Sequence, residues 1–270
     1  MLRQQVRFNR IHHIFISHLH GDHYLGLMGL IFTFHLQGRT DDLFVYGPAG
    51  LDEIIILQLK HSQSVLHYRI HFLVIENSGQ LLFENEDIQV RSLAMNHRID
   101  CYGFVFAEKQ RKFRLKREAL PESLGREDLL MLKEGLDVKD STGKLWKNEE
   151  LACPPPSPRT YAYAADTRIL EGEVDAIRNC NLLYHEATFT SEMQSRAEAT
   201  FHSTAAEAAQ FAFRHNVLEL MLGHFSSRYQ DVSPVLDEAV RFFPRTVLAT
   251  EGQVYEVPVR VVKNQHADIN

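Results

Sequence analysis

Ser17-His18-Leu19-His20-Gly21-Asp22-His23 follows directly on the apolar run Ile14-Phe15-Ile16. Three histidines and an aspartate fall within six residues. Neutral imidazole nitrogen and carboxylate oxygen are the ligand types that borderline zinc accepts, and four of them packed this tightly can serve two metals rather than one. A lone histidine is more often a packed or hydrogen-bonded residue. A cluster of four ligand types at the end of a strand is not explained that way.

Working outward, short apolar strand candidates alternate with helical ones. Ile11–Ile16 reads as the strand leading into the cluster, Gly26–Leu36 as a helix through Leu27, Leu30, Ile31 and Phe34, Leu43–Tyr46 as a strand and Leu51–Leu59 as a helix. Strands without intervening helices follow at Ile70–Ile75, Leu81–Phe83, Ile88–Met95 and Gly103–Ala107. Alternation then returns: strands at Thr160–Ala164, Leu182–His185 and Leu218–Leu222, helices at Ser203–His215 (Ser203 as cap) and Ser233–Phe243, and final strands at Val247–Ala249 and Val254–Val257. The pattern predicts an α/β fold with a sheet-on-sheet core and helices outside. The stretch from about 108 to 159 differs. It opens with Lys109, Arg111, Lys112, Arg114, Lys116 and Arg117 around Phe113, carries a helix near Glu127–Glu134, and ends in Pro154-Pro155-Pro156-Ser157-Pro158. It reads as an insertion within a single domain spanning 1–270.

Three strands end on further ligand types: Ile88–Met95 on Asn96-His97, Thr160–Ala164 on Ala165-Asp166, and Leu218–Leu222 on Gly223-His224. Singly, each fits a turn or helix cap. With the first cluster they make five histidines and two aspartates at carboxyl ends of strands, where open α/β sheets place their sites. The net charge of −6 demands a local basic patch for any nucleic-acid partner. Cys101, Cys153 and Cys180 form no CxxC pair, which suits a reducing cytoplasm, and no apolar run reaches membrane-spanning length.

His18-Leu19-His20-Gly21-Asp22-His23 with His97, Asp166 and His224 resembles the metallo-β-lactamase superfamily. Tyr184-His185-Glu186-Ala187-Thr188-Phe189, Phe201-His202-Ser203-Thr204, His224-Phe225-Ser226-Ser227-Arg228-Tyr229 and Val45-Tyr46-Gly47-Pro48 narrow the resemblance to the ribonuclease Z family. That resemblance implies an αββα four-layer metallo-β-lactamase fold with an inserted tRNA-binding arm. It implies two Zn2+ per subunit, with Mn2+ as the other candidate metal. His18, His20 and His97 would hold one ion, Asp22, His23 and His224 the other, and Asp166 would bridge them. It also implies a homodimer that removes the 3′ trailer of precursor tRNA by zinc-hydroxide attack on a phosphodiester. Asp22 would orient the water and take its proton, and His202 would donate one to the leaving oxygen. Glu186 would pair with His202 or with a metal ligand; an ordinary strand-end ion pair is the other reading. Ser226, Ser227 and Arg228 read as a polar loop or as a phosphate site. Lys109, Arg111, Lys112 and Arg114 read as a solvated helix face or as an RNA-binding run.

The chain departs from the family in three places. About forty family residues would precede the metal motif, including the first strands of one sheet; Met1-Leu2-Arg3-Gln4-Gln5 resembles the end of that stretch, and their lack would lower stability or leave a sheet edge for a partner chain to cover. Ala165 stands before the bridging aspartate, and the arm lacks a glycine-proline-rich tip. Two other functions are compatible with the residues: a different dizinc hydrolase of the same fold, acting on a small phosphodiester, thioester or lactam, and a non-catalytic RNA-binding subunit.

Overall fold

The computed structural model describes residues 8–170 and 174–260. Met1–Gln5, and with them the comparison made for the amino end, lie outside the described residues. In chain order the elements are β1 (His13–Phe15), α1 (Gly21–Leu36), β2 (Leu43–Gly47), α2 (Leu51–His61), β3 (Ile70–Val74), β4 (Leu81–Glu84), β5 (Ile88–Ala94) and β6 (Tyr102–Glu108). There follow β7 (Arg114–Leu115), α3 (Arg126–Lys133), β8 (Val138–Lys139), β9 (Leu145–Trp146), α4 (Asn148–Leu151) and β10 (Ala152–Cys153). The last third holds β11 (Thr160–Ala164), β12 (Leu182–Glu186), α5 (Gln194–Thr200), α6 (Ala205–Arg214), β13 (Glu219–Gly223), α7 (Ser233–Val240) and β14 (Thr246–Leu248). The chain divides into two compact units: residues up to 84, 89–107 and 159–260, and residues 85–88 with 108–158. Among the described residues no helix is long and apolar enough to cross a membrane.

The first unit contains two sheets. The smaller is all parallel, in the order β1-β2-β3, with Phe15 opposite Tyr46 and Val45 opposite Phe72. The larger runs β14-β13-β12-β11-β6-β5-β4; β11 through β14 are parallel, and β6 lies antiparallel to β11. Side chains alternate across a strand, and here the alternation separates two different cores. From β2, Leu43 and Val45 pack with Leu27, Ile31 and Phe34 of α1 and Leu51 and Ile55 of α2, while Phe44 and Tyr46 face the other way. They meet Tyr102, Phe104 and Phe106 of β6 and Phe83 of β4 between the sheets. Phe15 stacks on Tyr46 at 4.6 Å between ring centroids and meets Phe104 at 5.3 Å. On the outer face of the larger sheet, Val105, Ala162, Ala164, Leu183 and Leu220 pack against α6 and α7. The buried face of α6 is built of Phe211 and five alanines, Ala205, Ala206, Ala208, Ala209 and Ala212, whose short side chains let the helix lie close to β12 and β13. Helix, sheet, sheet and helix make the four-layer αββα arrangement.

At the end of the sheets where β1 finishes, the Tyr102 N–H donates to Ser17 O at 2.9 Å, tying the loop after β1 to the start of β6. Gly103 explains how tightly β6 and β11 meet there: a Cβ at this position would sit 2.5 Å from the Tyr163 carbonyl oxygen.

Four expectations need correcting. Helix α1 begins at Gly21 rather than Gly26, because the metal motif itself supplies its first turn. The cap of α6 is Thr204, not Ser203. The Thr204 hydroxyl accepts from the Glu207 N–H at 3.3 Å and Glu207 Oε2 accepts the Thr204 N–H at 2.8 Å, a reciprocal pair; the Ser203 hydroxyl instead donates to Thr167 O at 2.7 Å. Val254–Val257 forms no strand, since its alternation finds no neighbouring strand to pair with; Tyr255 is held through its hydroxyl, which donates to Leu248 O at 2.8 Å. Helix α5 escaped the periodic reading because it buries one side chain, Ala197.

The second unit has its own small core of Leu132, Val138 and Leu151, flanked by Leu115, Leu120, Leu124, Leu129 and Trp146. The β8–β9 hairpin closes over Asp140, a carboxylate that accepts from the Ser123, Thr142 and Trp146 side chains and from two backbone N–H groups, those of Thr142 and Lys144. Helix α3 occupies the place expected for a helix near Glu127–Glu134.

Candidate metal centre

Strand ends of both sheets deliver the ligand-type side chains to one place in the first unit. His18 follows β1, His20 is the N-terminal flanking residue of α1, and Asp22 and His23 lie in its first turn. His97 follows β5, Asp166 follows β11, Glu186 ends β12, His224 follows β13 and His202 sits between α5 and α6. His18 and Glu186 are fully buried and Asp166 nearly so, whereas the Asp22 side chain is 72% exposed at the mouth.

The nitrogen atoms converge. His18 Nε2 and His20 Nδ1 are 3.0 Å apart, and His97 Nε2 is 3.3 Å from the same His20 nitrogen. Asp166 stands among them: Oδ2 is 3.7 Å from His18 Nε2 and 3.3 Å from His23 Nε2, and Oδ1 is 3.2 Å from His224 Nε2. His23 Nε2 lies 3.5 Å from Asp22 Oδ2. His18, His20, His97 and Asp166 form one group whose ligand atoms lie within 4.8 Å of one another, and Asp22, His23 and His224 form a second. His202 joins Asp166 and His224 in a third. Asp166 Oδ1 and His23 Nε2 are buried with no hydrogen bond of normal geometry. Buried polar atoms left unpaired are costly, so a cluster of lone-pair atoms turned on one another fits a divalent cation better than a hydrogen-bonded core. All-imidazole and carboxylate donors suit zinc or a similar borderline ion.

Three of these rings are anchored on the opposite edge. His97 Nδ1 donates to Phe201 O at 3.0 Å, His224 Nδ1 lies 2.9 Å from Thr188 Oγ1, and His18 Nδ1 lies 3.0 Å from Ser17 Oγ. Such partners fix which ring nitrogen is presented. His202 Nδ1 contacts Glu186 Oε1 at 2.8 Å, which answers the question of Glu186's partner. Glu186 also accepts from Thr167 N–H, Thr188 N–H and the Thr188 hydroxyl. Two residues here hold left-handed backbone, Phe201 at φ 60° and His224 at φ 58°. Non-glycine residues in that region carry strain that surrounding structure must hold, and such residues cluster at functional sites.

The electrostatics follow from burial and neighbours. Burial, with the nearby His23, pushes His18 down to about 3, and burial lowers His97. Both are therefore neutral at physiological pH, the form that binds metal. Burial alone would raise Asp166, but the approach of His23 and the charges of His224, His23 and His18 hold it at about 2. In His23 burial acts downward and is outweighed by Asp166 and Asp22, so its proton affinity is raised. His202 is raised in the same way, burial being outweighed by Glu186.

The other sequence candidates lie elsewhere. Ser226, Ser227 and Arg228 form the loop after His224, tied back by Ser226 N–H to Thr188 O at 3.1 Å, with Ser227 and Arg228 exposed. Lys109, Arg111, Lys112 and Arg114 belong to the second unit, where Lys112 pairs with Glu134 at 2.5 Å and Arg111 with Asp87 at 3.5 Å. Sequence reasoning missed Thr188 and Phe201. Thr188 lies inside a motif that had been quoted, yet a hydroxyl carries no spacing signal, and the Phe201 contribution is a backbone carbonyl. It also missed Arg98 and Arg168, whose guanidinium carbons lie 6.0 and 3.8 Å from the Phe201 ring centroid and which donate to Ala199 O and Glu198 O.

Comparison with known proteins places the chain in a family. The chain is 42% identical over 243 residues to the ribonuclease Z of Cytophaga hutchinsonii, spanning 89% of the chain and 78% of that protein. It is 42% identical over 252 residues to the ribonuclease Z of Bacteroides thetaiotaomicron, spanning 93% and 80%. No family model matches. Among solved structures, the short form of human tRNase Z superposes with a TM-score of 0.65 at 27% identity, covering 96% of this chain and 83% of that one. A metallo-β-lactamase-fold protein of Bacillus subtilis superposes at 0.63 with 18% identity, covering 94% and 80%, and speaks for the fold alone. Identity of this extent, over about nine-tenths of the chain, leaves one assignment: the chain belongs to the ribonuclease Z family.

Proposed function

We propose that this chain is a metal-dependent endoribonuclease that cuts the 3′ trailer from precursor tRNA. The observation that carries the reading is the Glu186–His202 pair, 2.8 Å apart, with His202 placed beside Asp166 and His224. The ligands alone would serve any metal-dependent hydrolysis; this pair adds a group able to protonate a leaving oxygen. His18, His20 and His97 would hold one divalent ion, Asp22, His23 and His224 another, and Asp166 would be shared, zinc being the ion the donors favour. Bound there, such ions supply Lewis acidity and an activated water.

The chain's own groups do the rest. Asp22 is the exposed carboxylate of the centre and can orient the attacking water and accept its proton. Glu186 holds the proton on His202 Nδ1, which fixes the ring and leaves its other nitrogen to protonate the departing 3′-oxygen. The raised proton affinity of His202 suits a donor. Arg228, with Ser226 and Ser227, offers a guanidinium and hydroxyls for a phosphate next to His224. Residues 108–158 would act as the tRNA-binding arm of a domain spanning 1–270, with Lys109, Arg111, Lys112 and Arg114 meeting the RNA backbone, and the family resemblance supports a homodimer. The three cysteines are unpaired, which supports a cytoplasmic setting.

The test is incubation of the zinc-loaded chain with a precursor tRNA carrying a 3′ trailer, with the cut mapped to the nucleotide. A chelator-sensitive cut just after the discriminator base is expected. Turnover of a chromogenic phosphodiester with intact precursor tRNA would overturn the substrate assignment.

A further inference from the structure

Thr188 is 7% exposed, and its hydroxyl oxygen is shared by three side chains of the centre. Glu186 Oε2 lies 2.7 Å away, His224 Nδ1 2.9 Å and His202 Nδ1 3.3 Å. A hydroxyl has one proton to donate and two lone pairs, while an ionised carboxylate oxygen can only accept. The Thr188 proton therefore goes to Glu186 Oε2, the shortest of the three contacts. What remains on Thr188 are lone pairs, so His224 Nδ1 must carry a proton and donate it. His202 Nδ1 is nearer to Glu186 Oε1, at 2.8 Å, and donates there instead. His224 is left with Nε2 unprotonated, 3.2 Å from Asp166 Oδ1.

We propose that Thr188 is a positioning residue that sets the tautomer of His224, passing the acceptor capacity of Glu186 through its hydroxyl. One buried carboxylate then serves two histidines, His202 directly and His224 by relay. The contrast with His97 makes the dependence specific: its Nδ1 is satisfied by the Phe201 carbonyl, a backbone group that no side-chain replacement removes. His224 relies on a side chain. The inference rests on reading His224 as a metal ligand.

The test compares Thr188→Val, which keeps the shape and loses the hydroxyl, with Thr188→Ser, which keeps the hydroxyl. Zinc affinity of the full chain is measured by competition with a chromogenic chelator, beside two-bond 1H–15N spectra of the histidine rings. Loss of a hydrogen-bond partner to a ligating histidine costs about 10–100-fold in metal affinity. Thr188→Val should weaken one of two zinc ions by that factor and move the His224 ring off the Nδ1–H form, while Thr188→Ser stays within a few-fold of the parent. If Thr188→Val does not fold, as judged by circular dichroism, Thr188→Ala takes its place. Two zinc ions bound equally tightly by parent and Thr188→Val would overturn the relay and leave the metal reading standing. Equal loss in Val and Ser variants would also overturn it. A parent binding fewer than two ions would remove both.

Discussion

Replacing Glu186 by Gln changes one atom, and the structure says what that atom does. The carboxylate is fully buried and accepts four contacts: Thr167 N–H at 3.0 Å and His202 Nδ1 at 2.8 Å on Oε1, Thr188 N–H at 3.0 Å and the Thr188 hydroxyl at 2.7 Å on Oε2. A glutamine has one acceptor oxygen, so its amide nitrogen must face one of these two pairs of donors. The less costly orientation points the amide at Thr188, whose hydroxyl can rotate to accept while its N–H is left without a partner. One buried unsatisfied donor costs about 1–3 kcal/mol, and the surviving contacts lose their charge assistance, so the whole change destabilises by about 2–4 kcal/mol. At about 2–4 °C per kcal/mol for a chain of this size, the melting temperature should fall by roughly 4–16 °C. Cleavage of precursor tRNA should fall further than folding explains, by up to about 10²-fold, because the amide oxygen still facing His202 Nδ1 lacks the charge with which Glu186 raises that ring's proton affinity. Thermal melts by circular dichroism and single-turnover cleavage at a temperature where both proteins are folded separate the two effects. An unchanged melt would refute the four-contact reading of Glu186, and an unchanged cleavage rate would refute the role given to His202.

Three other outcomes follow from particular contacts. Asp22→Ala should abolish chelator-sensitive cleavage and lower zinc stoichiometry, while His35→Ala, at the far end of α1 from the motif, should leave both within a few-fold of the parent; cleavage assays and metal analysis decide. Gly103→Ala puts a Cβ 2.5 Å from the Tyr163 backbone oxygen, which cannot move without parting β6 from β11; overpacking of this kind should cost about 1–3 kcal/mol in chemical denaturation. Hydrogen bonds from Thr142, Trp146 and Ser123 depress the Asp140 carboxyl well below its ordinary value of 3.8. The unfolded hairpin then binds a proton that the folded one does not, so stability conferred by Asp140 is present above that ordinary value and is lost as pH falls below it. Trp146 is the sole tryptophan of the chain and donates to Asp140, so its fluorescence should report the loss on acidification, and Asp140→Asn should remove the pH dependence.

The layers were legible because their signals are local and periodic. Leu43 and Val45 against Phe44 and Tyr46 already sort one strand between two cores, and the ligands of the first cluster lie within one turn of chain. His97, Asp166 and His224 could be nominated from strand ends, since the residue after a strand is where the backbone leaves the sheet and a side chain can turn inward. What could not be read depends on the third dimension. Thr188 touches Glu186, His202 and His224 at once, and although it lies inside the 184–189 motif, a hydroxyl carries no spacing signal that says what it touches. Phe201 acts through a carbonyl, which every residue has. Val254–Val257 misled for the complementary reason: its alternation is that of a strand, but pairing is a property of the neighbour, and no strand pairs with it among the described residues. The start of α1 was set late because His20, Gly21, Asp22 and His23 are chosen for ligand chemistry rather than for an apolar stripe, so helical periodicity begins only after the motif has ended.

The arrangement of charge explains why these residues can share a buried site at all. Three carboxylates, Asp22, Asp166 and Glu186, meet histidines that burial keeps neutral in the cases of His18 and His97. Charged imidazoles at these distances would repel one another, and neutral ones leave the carboxylates uncompensated. The result is a focused negative potential whose natural occupant is a small cation with more than one charge. The nearest arginines do not satisfy it. Arg98 and Arg168 spend their donors on the Ala199 and Glu198 carbonyls, at the end of α5, and their faces on the Phe201 ring. Each arginine sits within two residues of a ligand, His97 or Asp166, and both grip the residue that precedes His202. The same contacts pack around Phe201 in its left-handed conformation, whose carbonyl accepts from His97 and which opens the His202 loop. Ligand orientation and placement of the proton donor thus share the contacts gathered around Phe201.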